Sequence, residues 1–274
     1  MASTSRGTVL ITGASSGIGA ATARHLLQRG WTVIAAARRL EAMQELQRLG
    51  ATVLPLDISD AESRRALVEA VEQQHPQLDG LVNNAGFGAV GPLETMSLEQ
   101  ARALFEVNVF GLMGLTQLLL PSMRRRGRGR IVNLSSIAGR YVTPGSGWYG
   151  ASKFALEGLS DALRLELRPL GIQVVLVEPG LIQTEFADRV APSRAAAGQS
   201  QEYGRMMERV NATWTAIFRG ASDPSVVART IETALTATNP QDRYLSGHLS
   251  GTVLARNLMP TPLWDWMLGR SMTG

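Results

Sequence analysis

Short apolar runs alternate with helical patterns from Thr8 to about Tyr244, and that rhythm restricts the fold more than any other feature. Thr8-Val9-Leu10-Ile11, Thr32 to Ala37, Thr52 to Leu56, Gly80-Leu81-Val82, Arg130 to Leu134 and Gln173 to Val177 read as strands, with a last one near Tyr244. Helices are expected through about Arg29, from about Leu40 to Leu49, after Asp60, from about Leu98 to Arg126, after Tyr149, and near Pro224 to Ala237. The helix after Asp60 puts Leu67, Val68 and Val71 on one face. Strands apolar throughout are buried on both faces, and helical connections between them make neighbours parallel. The pattern predicts an α/β fold: a three-layer sandwich around a doubly wound parallel sheet of about seven strands, with helices on both faces. No repeat, charged block or long linker interrupts residues 1–274, so one domain is expected. Residues 181–220 are less regular and read as a lid, and 250–274 as a C-terminal tail.

Composition removes several classes. The apolar runs stay well short of the roughly 20 residues a membrane-spanning helix needs. Met1 to Gly7 has no apolar signal core. Without cysteine there are no disulfides, thiolate metal sites or thiol nucleophiles, and a cytoplasmic location is expected. The net charge of +4 is mild. The cluster Arg124 to Arg130 has no interleaved aromatics and sits where basic residues favour a helix C-terminus, so no nucleic-acid partner is expected. No metal site is expected. Of 27 basic residues, 26 are arginine and one is lysine, Lys153. A lone lysine marks a place for a compact, rotatable ammonium.

Between the first strand and first helix lies Thr12-Gly13-Ala14-Ser15-Ser16-Gly17-Ile18-Gly19. Glycines there allow a tight turn and close approach of backbone N–H groups to a pyrophosphate at a positive helix end. The same residues also match the G-x-S-x-G elbow of α/β-hydrolases, with Ser15 as nucleophile. Only one strand precedes Ser15, and only His248 lies late enough in the chain to be the base, so position argues against that reading.

Tyr149-Gly150-Ala151-Ser152-Lys153 opens a helix, which puts Tyr149 and Lys153 on one face. A phenol titrates near pH 10, and an adjacent ammonium stabilises phenolate, drawing the group toward a working acid/base range.

With these residues in place, the chain resembles the short-chain dehydrogenase/reductase family, in its single-domain branch. The resemblance rests on Thr12 to Gly19, Asp57, Asn83-Asn84-Ala85-Gly86, Asn108, Asn133-Leu134-Ser135-Ser136, Tyr149 with Lys153, and Pro179-Gly180, in the family's order over residues 8 to about 185. From Gly91 to Phe186 it looks most like bacterial 17β-hydroxysteroid-dehydrogenase-like and retinol-dehydrogenase-like members. The resemblance implies a Rossmann-type sandwich and hydride transfer between a nicotinamide and a carbonyl or alcohol. It implies that Tyr149 is the acid/base, Ser136 orients the carbonyl oxygen, Lys153 binds the nicotinamide ribose and tunes Tyr149, and Asn108 keeps a relay water. Asn84, Ala85 and Gly86 would line the adenosine side. Ile58, Pro179, Gly180, Ile182 and Thr184 would complete the cofactor site, Thr184 at the carboxamide. Family members usually associate through the helices flanking the fifth strand, which implies a homodimer or homotetramer.

The cofactor follows from the end of the second strand, where an NAD site carries an acid. That slot is Ala37, followed by Arg38-Arg39, and no carboxylate comes before Glu41. A small residue leaves room for a 2′-phosphate and Arg38 suits its charge, so NADP(H) is expected. Asp57 would accept from the adenine amino group, or else serve as a helix-entry residue. Phe87, Tyr141, Trp148, Phe186 and the later methionines and tryptophans suggest an apolar small-molecule substrate, steroid- or retinoid-like. A non-catalytic NADP(H) sensor, an epimerase or dehydratase of the longer branch, and the Ser15 hydrolase are the alternatives.

Overall fold

Alternate residues of the strands bury themselves on opposite sides of one sheet. In a computed structural model of the chain, which describes residues 6–186, 190, 193, 197–198 and 200–273, seven strands pair in parallel in the order β3-β2-β1-β4-β5-β6-β7. They are β1 (Thr8–Thr12), β2 (Thr32–Ala37), β3 (Thr52–Pro55), β4 (Gly80–Asn83), β5 (Gly129–Leu134), β6 (Ile172–Pro179) and β7 (Arg243–Ser246). The helices are α1 (Gly17–Gln28), α2 (Gln44–Arg48), α3 (Ala61–Gln74), α4 (Leu98–Phe105), α5 (Leu112–Arg126), α6 (Gly147–Leu167), α7 (Gly204–Phe218), α8 (Pro224–Thr236), α9 (Thr252–Leu258) and α10 (Thr261–Leu268). Part of the expected lid, at 187–189, 191–192, 194–196 and 199, lies outside the described residues.

Val9, Ile11, Val33, Ala35, Val82 and Val132 pack with Ala23 and Leu26 of α1 and Val227, Ile231 and Ala234 of α8. Leu10, Ile34, Leu81, Ile131 and Val174 pack on the other face with α3, α5 and α6 through Leu67, Leu115, Leu119 and Leu163. This two-sided burial is why the strands are apolar throughout. The sandwich and its sheet match the fold expected from the chain's rhythm.

The expected helix over 98–126 is α4, a π-helical turn at Glu106–Gly111, and α5. Gly111 sits so close to the loop after β3 that an added Cβ would lie 2.2 Å from the Ile58 carbonyl oxygen. By length and composition this 29-residue stretch could cross a membrane, contrary to the count of apolar runs. Here it is a core helix, with Leu104, Leu112, Leu115, Leu119 and Met123 buried. The arginine cluster ends α5 and ties it down. Gly127 takes φ 62° as the helix stops, Arg126 donates to the Leu78 carbonyl, and Arg128 lies 3.5 Å from Asp79. Arg130 donates to the carbonyls of Ala234 and Ala237.

Candidate active site

In an open parallel sheet, ligands bind beyond the strands' C-terminal ends where the strand order reverses, here between β1 and β4. A cleft of about 840 Å³ opens there. Gly13, Ser15, Ser16, Gly17 and Ile18 line it, as do Arg38 after β2, Asp57 and Ile58 after β3, and Asn84, Ala85 and Gly86 after β4. Ser136, Tyr149 and Lys153 form the facing wall, continued by Pro179, Gly180, Ile182 and Thr184. Gly19 and Asn108 stand behind this lining and shape it.

The glycine turn is a steric necessity. Gly13 and Gly17 adopt φ 67° and 55°, which side chains disfavour. A Cβ on Gly19 would lie 2.4 Å from the Gly13 carbonyl oxygen and 2.5 Å from Asn84 Nδ2. That closeness lets Asn84 Nδ2 donate to the carbonyls of Thr12 (2.8 Å) and Gly13 (3.2 Å). The Thr12 hydroxyl accepts in turn from the backbone N–H of Asn84 and Ala85, each at 3.0 Å. The β1 and β4 loops are thereby fixed together as one floor. Helix α1 starts in that floor with no acid in its first turn, so its positive end is left for an anion.

On the facing wall, Ser136 follows β5 and its hydroxyl accepts from the Ala138 N–H at 3.1 Å. Tyr149 and Lys153 lie on successive turns of α6, with Lys153 Nζ 5.9 Å from the Tyr149 ring centroid. Lys153 Nζ donates to the Leu134 carbonyl at 2.8 Å, leaving two of its three N–H for a ligand. Burial dominates the titration of both groups. It pushes the Tyr149 phenol up to about 12, with the Ser136 hydroxyl pulling the other way. It lowers Lys153 to about 8, with Glu157 opposing. The expectation that the ammonium draws the phenol down is therefore not met: desolvation of the phenolate wins.

Asn108 projects from the π-helical turn. Its Nδ2 donates to the Phe87 carbonyl at 2.9 Å and to Ser152 Oγ at 3.1 Å, and its Oδ1 accepts from the Phe87 N–H at 3.1 Å. Ser152 Oγ donates to the Tyr149 carbonyl at 2.7 Å. Asn108 thus braces the β4 loop against the first turn of α6. With both N–H taken by protein, a relay water is left its Oδ1 or its backbone carbonyl.

At the other end of the cleft Arg38 and Arg39 follow Ala37, with no acid in the slot. Asp57 Oδ1 accepts from Ser59 N–H (3.0 Å) and Oγ (2.6 Å), which holds the carboxyl below its ordinary value with help from Arg38. Asp60, not Asp57, caps α3, through its Oδ2 and the Ser63 N–H. These residues fit a dinucleotide: a helix end free of acids, and glycines that let the loops after β1 and β4 close into one floor.

The hydrolase alternative falls away, and one expected pocket residue is corrected. Ser15 is not a strained elbow, since among described residues Leu249 alone has positive φ without being glycine. His25 is bonded to Glu232 at 2.7 Å and His75 to Thr52 Oγ1 at 3.0 Å, and His248 is not among the residues that line the cleft with Ser15. Trp148 turns away from the cleft and meets Phe105 edge-on at 6.3 Å, because one residue from Tyr149 on α6 points to another side. Phe87, Tyr141 and Phe186 do line the cleft, and the Phe186 ring centroid lies 5.5 Å from that of Tyr149. Trp264, Met267, Leu268 and Met272 of the tail line it too. The expectation for the later methionines and tryptophans is met at these positions, which the chain's return over the cleft brings to it. Glu157 was also missed, though it stands one turn beyond Lys153 and is bound by Arg243 at 3.0 Å.

The comparisons agree with this geometry. The family model for short chain dehydrogenases matches residues 7–195. The uncharacterized oxidoreductase YbbO of Escherichia coli is 48% identical over 183 residues, 66% of this chain and 68% of that protein. The 3-ketodihydrosphingosine reductase of Bacteroides thetaiotaomicron is 35% identical over 250 residues, 91% of each chain. A short chain dehydrogenase from Burkholderia cenocepacia, solved in complex with NADP, superposes with a TM-score of 0.75 at 26% identity, covering 96% of this chain and 98% of that one. The chain belongs to the short-chain dehydrogenase/reductase family and is an oxidoreductase of that family.

Proposed function

We propose that this protein uses NADP(H) to interconvert a carbonyl and an alcohol on an apolar small molecule, with Tyr149 as acid/base. The observation that carries this reading is the wall on which Ser136, Tyr149 and Lys153 meet, facing a glycine floor that ends at Arg38. The bound nicotinamide supplies or accepts the hydride. The phenol, raised to about 12, is protonated at neutral pH and so acts as the acid that protonates the carbonyl oxygen. Ser136 can donate its own hydroxyl proton to the same oxygen, since its lone pair already serves the Ala138 N–H. Lys153 provides a positive charge beside the phenolate that forms and two N–H for ribose hydroxyls. Asn108 fixes the first turn of α6 and offers Oδ1 to the relay water. Arg38 takes the 2′-phosphate, and Asp57 keeps Oδ2 for the adenine amino group. The NADP complex of the Burkholderia protein supports the cofactor choice.

An apolar substrate is supported by Phe87, Phe186, Trp214, Phe218 and Trp264 around the catalytic wall, and by the similarity to a protein named 3-ketodihydrosphingosine reductase. The whole chain is read as one domain, with the sheet running from β3 to β7 across it. Exposed Phe110, Phe154 and Leu165, on the helices flanking β5, support a homodimer or homotetramer. The absence of cysteine supports a cytoplasmic location.

The test is titration with NADPH and NADH by nicotinamide fluorescence, followed by a panel of long-chain ketones and aldehydes. Tyr149→Phe is expected to lose about 10²–10⁴-fold in turnover, the typical worth of a general acid, while NADPH affinity holds. Arg38→Ala is expected to weaken NADPH far more than NADH. Wild-type turnover in the first variant refutes the mechanism, and equal effects in the second refute the cofactor preference. Tight NADPH binding with no turnover on any carbonyl favours a sensor.

A further inference from the structure

Helices α9 and α10 are apolar on both sides. Their inward residues Val253 and Trp264 are buried, and Trp264 packs edge-on against Tyr141 at 4.9 Å. Their outward residues are also large and apolar: Leu254 is 59% exposed, Leu258 87%, Leu263 50% and Trp266 59%. Spacings of four and three residues put Leu254 with Leu258, and Leu263 with Trp266, on single helix faces. A surface helix of a soluble protein turns a polar face to water. Here residues 252–273 hold only Arg256, Asp265 and Arg270 as charged groups.

The surroundings are basic. The Arg256 guanidinium lies 5.8 Å from the Trp264 ring and that of Arg270 5.5 Å from Trp266. Exposed Arg205, Arg209 and Arg219 stand on or just after α7, which packs against the turn Gly269–Thr273. Across 204–219 and 252–273, five arginines face two acids, Glu208 and Asp265, a net +3 of the chain's +4. Apolar side chains with tryptophan and arginine around them match an anionic lipid interface. A second copy fits less well, because a two-fold contact on this face brings arginines against arginines.

The patch adjoins the cleft. Thr252, Trp264, Met267, Leu268 and Met272 line its mouth, and Met267 is at once lining and 38% exposed.

We propose that α9 and α10 seat the protein on an anionic lipid surface, with Leu254, Leu258, Leu263 and Trp266 in the acyl boundary and the arginines at the headgroups. The substrate cleft then opens beside the lipid layer. This seating rests on the exposed face, not on the reaction assigned to Tyr149, and its test reads binding rather than turnover.

The full chain is floated with vesicles of phosphatidylcholine, with and without phosphatidylglycerol, at low and high salt. Flotation is expected with the anionic vesicles and is expected to fall with salt. Trp fluorescence should shift blue on binding, and the shift should shrink in Trp266→Phe. Leu254→Gln combined with Leu258→Gln should reduce partitioning about tenfold or more, since two exposed leucines lose their burial. NADPH binding and the circular dichroism spectrum should be unchanged, which separates lost docking from lost folding. The proposal is overturned if wild type does not float with anionic vesicles, or if the leucine variant floats equally well. It is also overturned if the variant lowers the oligomeric state in lipid-free buffer while flotation stays the same, which would assign the face to a protein contact.

Discussion

Gly19→Ala and Gly158→Ala are the same chemical change in two helices, and the structure gives them opposite signs. In α1, the new methyl would sit 2.4 Å from the Gly13 carbonyl oxygen and 2.5 Å from Asn84 Nδ2, where ordinary contact begins at 3.4 Å. Neither neighbour is the free end of a flexible side chain: one is backbone and the other is held by two hydrogen bonds. Opening the turn by about 1 Å costs roughly 1–3 kcal/mol, as overpacking generally does. The helix propensity of alanine offsets up to about 1 kcal/mol of that. With the full offset the net loss is up to about 2 kcal/mol, or a fall in Tm of up to roughly 8 °C for a chain of this size. Because the displaced turn is the cofactor floor, NADPH affinity should fall about tenfold or more, the equivalent of about 1.4 kcal/mol. In α6, a Cβ on the exposed Gly158 meets nothing within 4 Å. Within the single chain that variant should gain up to about 1 kcal/mol from propensity, and it should keep its NADPH affinity. Thermal melts and fluorescence titration of both variants check this. If both melting points move the same way, or Gly19→Ala binds NADPH like wild type, the steric account of the glycine turn is wrong.

Other consequences concern buried polar groups. Lys153, lowered to about 8, should set an alkaline limb near that pH in carbonyl reduction, because the ammonium is lost above it. Glu157 favours the ammonium by its charge, so Glu157→Gln should move that limb to lower pH while Glu157→Asp largely keeps it. A pH–rate profile in which the limb stays put in the Gln variant refutes this role. Asn133 accepts from Asn83 Nδ2 at 2.9 Å and donates to Ser160 Oγ at 2.8 Å between the central strands and α6. Asn133→Ala should cost about 1–3 kcal/mol in urea unfolding, since buried partners are left unpaired. A loss below a few tenths would show that the network is not what joins α6 to the sheet.

Much of the site was legible in advance because its signals are local and sterically enforced. The turn from Gly13 to Gly19 needs glycine at named positions whatever the rest of the chain does, and Tyr149 with Lys153 needs only one helix to share a face. Arg38 was legible because it follows a strand end. What failed, failed for want of environment. Charge alone would lower the Tyr149 phenol beside Lys153, whereas burial raises it. Trp148 is expected beside the substrate for its apolar ring, but its direction on α6 sends it to Phe105. The partners of the Asn108 amide, Phe87 and Ser152, stand 21 and 44 positions away, so only the fold brings them to it.

The sequence by itself determined the sheet, its parallel sense and the floor of the cleft, because periodicity and backbone sterics act within a few residues. Only the tertiary structure decided which late residues close the cleft. Helices α9 and α10 fold back so that Trp264 and Met272 face residues more than 100 positions earlier, such as Tyr141 and Tyr149. It alone decided the pairing of Glu157 with Arg243 from β7, 86 positions away. Burial, and the titration behaviour that burial sets, is a sum over neighbours brought together by the whole fold, and no stretch of sequence contains that sum.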